Sequence, residues 1–200
     1  LFKFANELGG LFPKVHVKDR DWDAVTGSGG PESLPSVKRG NAAGSPFFCS
    51  KRFMFEDTDE VVLNQEARRI MDEYMQGLTD DQPYTELTQI ALKDEVRPRE
   101  KVEEGKTRLY NVVNVQAFLA QRRAFYDLCH SFTSKNLVYG SALGISPEQF
   151  GAIHNHLAKV AGSGGKILAG DFAHMDGSID YYILMCVLRL WFSMAEFGQP

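Results

Sequence analysis

A charged stretch at residues 93–108 constrains the fold more than any other part of the chain, because a proline and a glycine interrupt it. Pro98 would break a helix and Gly105 would weaken one, so residues 91–113 do not predict a continuous helix. Two short strands with Gly105 near the bend fit this pattern better. Side chains of an extended stretch alternate between two faces, and four basic side chains then share one face: Lys93, Arg97, Arg99 and Lys101.

The charges of this stretch nearly balance, so their positions matter more than their sum. Six basic residues stand among five acidic ones, which leaves a local charge of +1, and Glu95 and Glu103 interrupt the basic face. Lys and Arg side chains that share a face can neutralise phosphate charge, so the hairpin is a candidate phosphate-binding channel. The alternative is an ordinary surface segment crossed by salt bridges, which is what most charge runs form.

The composition excludes several classes of protein. Of the 200 residues, 44% are apolar, enough to bury a core, and the net charge of −4 excludes a basic nucleic-acid-binding tail. The three cysteines have neither zinc-ligand spacing nor a disulfide pattern, which favours a reducing intracellular compartment. The first residues have no signal-peptide pattern. Residues 179–197 are apolar but contain three charged residues, so they predict a buried helix better than a membrane span.

Helical periodicity predicts four helices, and the expected end signals accompany two of them. The helices are expected at about residues 63–77, 116–131, 146–160 and 178–197. Gly77 stands where a C-cap belongs, while Ser146, Pro147 and Gln149 match the start of a helix with a capping box. The last helix is apolar almost all round, so it exposes an apolar patch if nothing covers it. Helices and short strands follow one another without regular β-α-β alternation, which predicts an α+β fold.

Two carboxylates near residue 170 are candidate ligands for a metal ion. Residues 166–171 predict a short buried strand that ends at Asp171, and Asp176 stands at the start of the next helix. A carboxylate at a strand end can hold Mg²⁺, and an Asp at a helix start can cap the helix or accept a hydrogen bond from a ribose hydroxyl. The alternative is a solvated Asp171 and a helix-capping Asp176, because Asp often caps helices.

Four segments, in this order along the chain, resemble motifs of the RNA-dependent RNA polymerases of picornavirus-like viruses. Residues 93–108, with a Lys-Asp-Glu start and a Lys-Val-Glu-x-Gly-Lys-Thr-Arg ending, resemble motif F. Residues 43–46 (Ala-Gly-Ser-Pro) resemble motif G, which precedes motif F, and residues 139–144 (Tyr-Gly-Ser-Ala-Leu-Gly) resemble a turn of the same family. Residues 170–178 resemble motif A of the palm, and their Gly-Asp-Phe and Asp-Gly-Ser sequences are most similar to those of insect-infecting picorna-like viruses.

The resemblance implies that motif A carries part of the catalytic site. Asp171 would be the catalytic metal ligand, for Mg²⁺ or for Mn²⁺ as a substitute, and Asp176 would sense the ribose and so favour ribonucleotides. A two-metal mechanism also needs a carboxylate from motif C. Motifs B and C of the family do not occur in these 200 residues. We therefore expect that the chain is part of a longer polymerase and does not polymerise alone.

The resemblance also implies roles for the basic residues of motif F. Arg108 and Lys93 would meet the incoming ribonucleoside triphosphate and take part in catalysis. Arg97 and Lys101 would line the nucleotide or template channel. These residues would neutralise the charge of the triphosphate as pyrophosphate leaves.

The fold that the resemblance implies is a right-hand polymerase, of which this chain is one part. Residues 1–124 would form the fingers subdomain and residues 125–200 the first part of the palm. In motif G, Gly44 and Ser45 would border the template entrance, although Ser45 stands where the family usually has an aromatic residue. The implied partners are an RNA template and primer, nucleotides, the remainder of the polymerase and other viral replication proteins, in replication complexes of the host cytoplasm.

Two other functions remain open at the level of sequence. An RNA- or nucleotide-binding module without catalysis would bind in a salt-dependent and metal-independent way, and replacing Arg108 but not Asp171 would weaken it. An unrelated Mg²⁺-dependent phosphotransferase would use Asp171 and Asp176. It would turn over a small phosphoester without any further protein.

Overall fold

The computed structural model describes residues 2–80, 86–135, 137, 140–143, 145–171 and 178–197. The helices are α1 (Phe2–Gly9), α2 (Trp22–Thr26), α3 (Gln65–Thr79), α4 (Arg99–Glu103), α5 (Val115–Ser134), α6 (Phe150–Ala161) and α7 (Tyr181–Met194). The strands are β1 (Val15–Val17), β2 (Gln89–Leu92), β3 (Leu109–Val112) and β4 (Ala195–Phe197), and 3₁₀ turns cover Lys51–Met54 and Pro147–Gln149. The mixture confirms the predicted α+β class.

The chain forms two compact units, residues 19–124 and residues 1–18 together with 125–200. The division falls within α5, between Ala124 and Phe125. The assignment of residues 1–124 to fingers and of residues 125–200 to palm stays a prediction.

The core of the 19–124 unit collects apolar side chains from α2, α3, the first turns of α5 and the loops between them. Its fully buried members are Val25, Ala43, Leu63, Ala67, Met71, Val115 and Leu119. Ala67 and Met71 follow helical spacing on α3, as the sequence predicts, and Leu63 continues this spacing just before the helix begins. The opposite face of α3 carries exposed ion pairs from Arg69 to Glu66 and Glu73.

Helix α3 ends later than the sequence predicts. It starts at the N-cap Asn64, whose Oδ1 accepts a hydrogen bond of 2.8 Å from Ala67 N. It then passes through Gly77 and ends at Thr79, with Asp80 as the C-cap. The last turn is held by the Thr79 hydroxyl and the Asp80 backbone N–H, which both donate to Gln76 O. The predicted cap at Gly77 is wrong because this end needs no left-handed residue.

The charged stretch forms the predicted hairpin with an unpredicted helix inside it. Strands β2 and β3 pair antiparallel, from Gln89↔Val112 to Leu92↔Leu109. Pro98 is the N-cap of α4, and Gly105 follows the helix with a φ of 69°. Arg99 Nε contacts Glu103 Oε1 at 2.7 Å, one helical turn away. The predicted single basic face is therefore wrong for Arg99 and Lys101, because both lie on a helical turn.

The core of the other unit forms where β1 and β4 pair in parallel, with Val15 opposite Ala195 and Val17 opposite Phe197. Its buried members are Val15, Val17, Leu128 and Met194, with Phe125, Phe132 and Trp191 packed against them. Helix α1 approaches α7 so closely that a Cβ added at Gly9 would overlap the Ser193 side chain.

The predicted start signals open the 3₁₀ turn Pro147–Gln149, which leads directly into α6. Ser146 N–H donates to Gln149 Oε1 at 3.1 Å, which is one half of the expected capping box, and Pro147 opens the first turn. Gly162 ends the helix with a φ of 68°.

The predicted strand at residues 166–171 is absent. These residues have no regular secondary structure, and Ile167 and Leu168 are exposed. A strand forms only where its backbone N–H and C=O groups pair with a neighbour. Among the described residues, no other strand pairs with this segment, so its apolar composition alone does not order it.

The last helix exposes apolar side chains, as predicted. The exposed members on and beside α7 are Ile179, Tyr181, Tyr182, Ile183, Leu184, Val187, Leu188 and Phe192. Within the described ranges, no helix has the length and apolarity that a membrane span requires.

Candidate functional site

Three basic side chains contact the Glu95 carboxylate at the open end of the β2–β3 pair. Lys93 Nζ lies 3.0 Å from Glu95 Oε2, Arg97 Nε lies 3.1 Å from Oε1, and Arg108 Nη1 lies 3.5 Å from Oε2. The hairpin brings Arg108 to this point because Lys93 N–H donates to Arg108 O at 2.9 Å, which continues the strand pairing by one residue. Three positive charges therefore surround one negative charge.

The Glu95 carboxylate is the most enclosed member of this cluster, together with Arg97. Both side chains are 20% exposed, compared with 49% for Lys93 and 59% for Arg108. The Lys93 ammonium is the main cause that lowers the pKa of Glu95, and the charges of Arg108 and Arg97 add to it. Arg97 approaches Oε1 without the alignment of a hydrogen bond, so this oxygen has no hydrogen-bond donor among the described residues.

The remaining basic residues of the loop differ in how far they are engaged. Arg97 also donates from Nη1 to Lys106 O and so ties the two sides of the loop together. Lys106 Nζ pairs with Glu104 at 2.8 Å. Lys101 is exposed and makes no ion pair with any residue that the structure describes. The hairpin therefore gathers Lys93, Arg97 and Arg108 at one point but leaves Lys101 outside the cluster.

The segment at residues 43–46 packs against the end of the hairpin. Val115 N–H donates to Ala43 O at 2.8 Å, and Ala43 N–H donates to Cys49 O at 2.8 Å. Gly44 has a φ of 79°, and a Cβ there would lie 2.8 Å from Val113 O. Only glycine suits a positive φ with backbone so close. Ser45 is buried and precedes a cis peptide bond to Pro46. The contact of this segment with RNA stays a prediction.

Of the two candidate metal-binding carboxylates, Asp171 is exposed, outside regular secondary structure, and part of the other compact unit. Asp176 falls outside the described residues, as do Tyr139 and Gly144 of the predicted turn. A carboxylate oxygen such as that of Asp171 suits one position of a Mg²⁺ shell. Among the described residues, no three His, Cys, Asp or Glu side chains come together to hold a metal ion. Asp171 therefore fits as one ligand of an incomplete set.

Sequence reasoning missed the roles of two residues in this region. Glu95 looked like an interruption of the basic face, whereas it is the common partner of three cations. The alternation of Lys93, Glu95 and Arg97 was the available signal, because residues two apart share a face in an extended chain. Lys51 is buried against Phe118, 67 positions along the chain, and no local pattern indicates that contact.

The sequence of this chain is similar to viral polymerases over almost its whole length. A family model for viral RNA-dependent RNA polymerase matches residues 17–199. The genome polyprotein of human rhinovirus A serotype 89 is 28% identical over 166 residues, which cover 80% of this chain and 7% of the polyprotein. That of human enterovirus 70 is 30% identical over 169 residues, with the same coverages of 80% and 7%. The replicase polyprotein of cricket paralysis virus is 23% identical over 172 residues, 78% of this chain and 9% of that protein.

A solved structure has the same fold. The Sicinivirus 3Dpol RNA dependent RNA polymerase matches with a TM-score of 0.73 at 20% identity, over 98% of this chain and 41% of that one. The match confirms that the α+β elements form part of a right-hand polymerase fold. The chain spans 41% of that structure and less than a tenth of the polyproteins named above. These relatives confirm the predicted picornavirus-like lineage. The chain belongs to the family of viral RNA-dependent RNA polymerases.

Proposed function

We propose that this chain supplies the triphosphate-binding hairpin and one catalytic metal ligand of a polymerase that performs template-directed nucleotidyl transfer. The observation that carries the proposal is the cluster of Lys93, Arg97 and Arg108 around one carboxylate. The cluster keeps excess positive charge when Glu95 is ionised, and two of its cations face solvent. That arrangement suits a polyanion such as a ribonucleoside triphosphate.

The ion pairs of this cluster can exchange partners when a triphosphate arrives. Pairs between exposed side chains contribute little to stability in water, so phosphate oxygens can replace Glu95 as the partner of Lys93 and Arg108. Arg97 is more enclosed and also holds the Lys106 carbonyl, so it stays in place and keeps the loop ordered. The cations then offset the negative charge that develops as pyrophosphate leaves, which stabilises the transition state.

Asp171 serves as a ligand for Mg²⁺, or for Mn²⁺ as a substitute, in the complete polymerase. Metal ions held there would supply activation of the attacking 3′-hydroxyl and would stabilise the negative charge of the leaving pyrophosphate. Because a two-metal site needs carboxylates from more than one motif, the 200-residue chain alone is inactive. Its partners are RNA template and primer, nucleotides, the rest of the polymerase and other viral replication proteins, in replication complexes of the host cytoplasm. Asp176 contacts the ribose, while Gly44 and Ser45 border the template entrance.

Primer extension by the complete polymerase tests this proposal. Asp171→Asn removes a metal-binding charge without changing size, and we expect it to abolish extension. Arg108→Ala removes one phosphate contact, and we expect kcat/KM for the nucleotide to fall by roughly 10²- to 10³-fold. Lys159→Met removes an exposed charge from α6 and serves as the control, with unchanged activity expected.

The same variants distinguish the proposal from RNA binding without catalysis. In that case Arg108→Ala weakens RNA binding, Asp171→Asn changes nothing, and no variant extends a primer. Full activity of the Asp171→Asn polymerase would contradict the assignment of Asp171 as a metal ligand. Turnover of a small phosphoester by the 200-residue chain alone would instead support a phosphotransferase.

A further inference from the structure

The two oxygens of the Glu95 carboxylate have different kinds of partner. Oε1 is buried and lies 3.1 Å from Arg97 Nε, and the Arg97 side chain is only 20% exposed. Oε2 lies 3.0 Å from Lys93 Nζ and 3.5 Å from Arg108 Nη1, and these two side chains are 49% and 59% exposed. A ligand from solvent therefore reaches the partners of Oε2 more readily than the partner of Oε1.

Hydrogen bonds across the loop fix the position of Glu95 from both sides. Before it in the sequence, Lys93 N–H donates to Arg108 O at 2.9 Å. After it, Arg97 Nη1 donates to Lys106 O. These two bonds tie both flanks of Glu95 to the opposite side of the hairpin. The carboxylate therefore stays beside Lys93 and Arg108 when another anion contacts these cations.

An anion that binds the two exposed cations must compete with Glu95. A phosphate group has to replace the ion pairs of Lys93 and Arg108 with Oε2, and its own negative charge then lies close to the Glu95 carboxylate. Two negative charges that share a site repel each other. The competition matters most at the end of a reaction cycle, because a product that keeps these cations occupied blocks the next nucleotide.

We propose that Glu95 is a positioning residue that takes Lys93 and Arg108 back from pyrophosphate and so promotes release of this product after nucleotidyl transfer. The inference rests on the proposed function, in which the same cations contact the triphosphate. A nucleotide is also held through its base and ribose, whereas pyrophosphate is held by phosphate contacts alone. The same competition by the Glu95 carboxylate therefore leaves the nucleotide bound but lets pyrophosphate dissociate.

Inhibition of primer extension by added pyrophosphate, measured with the complete polymerase, tests this role. Glu95→Gln keeps the size of the side chain and removes its charge. We expect the inhibition constant of pyrophosphate to fall by roughly two- to 30-fold, because pyrophosphate no longer has to displace two exposed ion pairs. The KM for the nucleotide should fall as well, without a rise in kcat. Glu95→Asp keeps the charge and should restore most of the native inhibition constant.

Glu100→Gln is the matched control for this experiment. Glu100 lies in the first turn of α4, within the same loop, and its side chain is exposed. It forms no ion pair with the residues that the structure describes, and it is not among the partners of the Glu95 cluster. The variant removes the same charge as Glu95→Gln, so we expect it to be inhibited by pyrophosphate as the native polymerase is.

The direction of the change distinguishes this role from a purely structural one. If Glu95 only holds the loop together, Glu95→Gln disorders the cations and the inhibition constant of pyrophosphate rises. A raised or unchanged constant would overturn the inference. If Arg108→Ala lowers kcat/KM for the nucleotide in that case, the proposed function stands while this inference falls. If neither Arg108→Ala nor Lys93→Met changes kcat/KM, the proposed function of the hairpin falls as well.

A second measurement keeps the test decisive if Glu95→Gln fails to fold. Carbon-detected NMR of the Glu95 carboxyl in the native polymerase follows its ionisation with and without pyrophosphate, at a concentration that fully inhibits extension. When pyrophosphate takes Lys93 and Arg108, Glu95 loses two cations and gains a negative neighbour, so we expect its pKa to rise. A Glu95 pKa that does not change on addition of pyrophosphate would show that the two anions do not compete, and would overturn the inference.

Discussion

Lys93 and Glu95, two residues apart at the end of β2, form an ion pair with Nζ 3.0 Å from Oε2. The same carboxylate also contacts Arg97 and Arg108, so residues spread along the whole charged stretch meet at one acidic group. Because all three cations contact the same acid, the ion pairs of the cluster depend on the ionisation of Glu95. Titration of the Glu95 carboxyl therefore tests the cluster.

The first prediction concerns this titration. The pKa of Glu95 is below its ordinary value of 4.5, chiefly because of Lys93. A group whose pKa is lowered by folding stabilises the folded state above its unfolded pKa, and the contribution is lost as pH falls through the folded pKa. The cluster is therefore intact at neutral pH and is lost only in acid, below 4.5.

Carbon-detected NMR of the Glu95 carboxyl would measure this pKa. We expect Lys93→Met to raise it toward the ordinary value. Lys101→Met is the matched control, because Lys101 is not among the groups that shift Glu95, and it should leave the titration unchanged. A Glu95 pKa that is the same in Lys93→Met and in the native chain would contradict the cluster.

The second prediction concerns the indole of Trp22. Its Nε1–H donates to Asp72 Oδ1 at 2.8 Å, and the Trp22 side chain is buried. Asp72→Ala leaves the indole N–H without this acceptor, so we expect the free energy of unfolding to fall by about 1–3 kcal/mol. Asp72→Asn keeps an oxygen acceptor and should cost less. Urea unfolding followed by tryptophan fluorescence would measure both, and equal losses would show that the hydrogen bond is not the cause.

The sequence predicts those parts of the fold whose cause is local or periodic. The stripe of Leu63, Ala67 and Met71 predicts α3, because one face of a helix must be buried. The helix passes Gly77 because its last turn is closed by side-chain and backbone bonds to Gln76 that no simple pattern indicates. The short helix α4 begins after its N-cap Pro98 and contains one ion pair. A helix this short can form within a stretch whose pattern otherwise predicts strands.

Long-range contacts explain what the sequence could not predict. The sequence predicts a hairpin of two paired strands. This pairing brings Lys93 and Arg108 together. The burial of Lys51 depends on Phe118, a contact that only the folded core determines. Residues 166–171 are apolar enough for a strand. The sequence pattern does not reveal whether a neighbouring strand is present to pair with their backbone groups.

The third prediction concerns the exposed side of α7. Ile183 and Leu184 are 55% and 49% exposed among other exposed apolar side chains, and a continuous apolar patch promotes association. We expect the 200-residue chain to self-associate as its concentration rises, and Leu184→Lys to reduce this in sedimentation velocity. Leu11→Lys replaces an exposed leucine that is not on α7, and it is the control. Equal reduction by both variants would argue for a general effect of charge.

The last prediction concerns the glycine that joins the 43–46 segment to the hairpin. Gly44 has a φ of 79°, and an added Cβ would lie 2.8 Å from Val113 O and 2.9 Å from Asn114 Cα. A non-glycine residue in this conformation costs on the order of 1–3 kcal/mol, and the backbone clash adds to that. Gly44→Ala should therefore lower the free energy of unfolding by at least about 1 kcal/mol in urea denaturation.

Gly40→Ala is the matched control for that experiment. Its added Cβ meets no atom within 4 Å, and its φ is not positive. Removing glycine at such a site restricts the unfolded chain, so stability should be unchanged or higher by about 0.4–1 kcal/mol. If Gly44→Ala is as stable as Gly40→Ala, the 43–46 segment does not pack against residues 113–114 as described. The contact between the 43–46 segment and the end of the hairpin would then have to be abandoned.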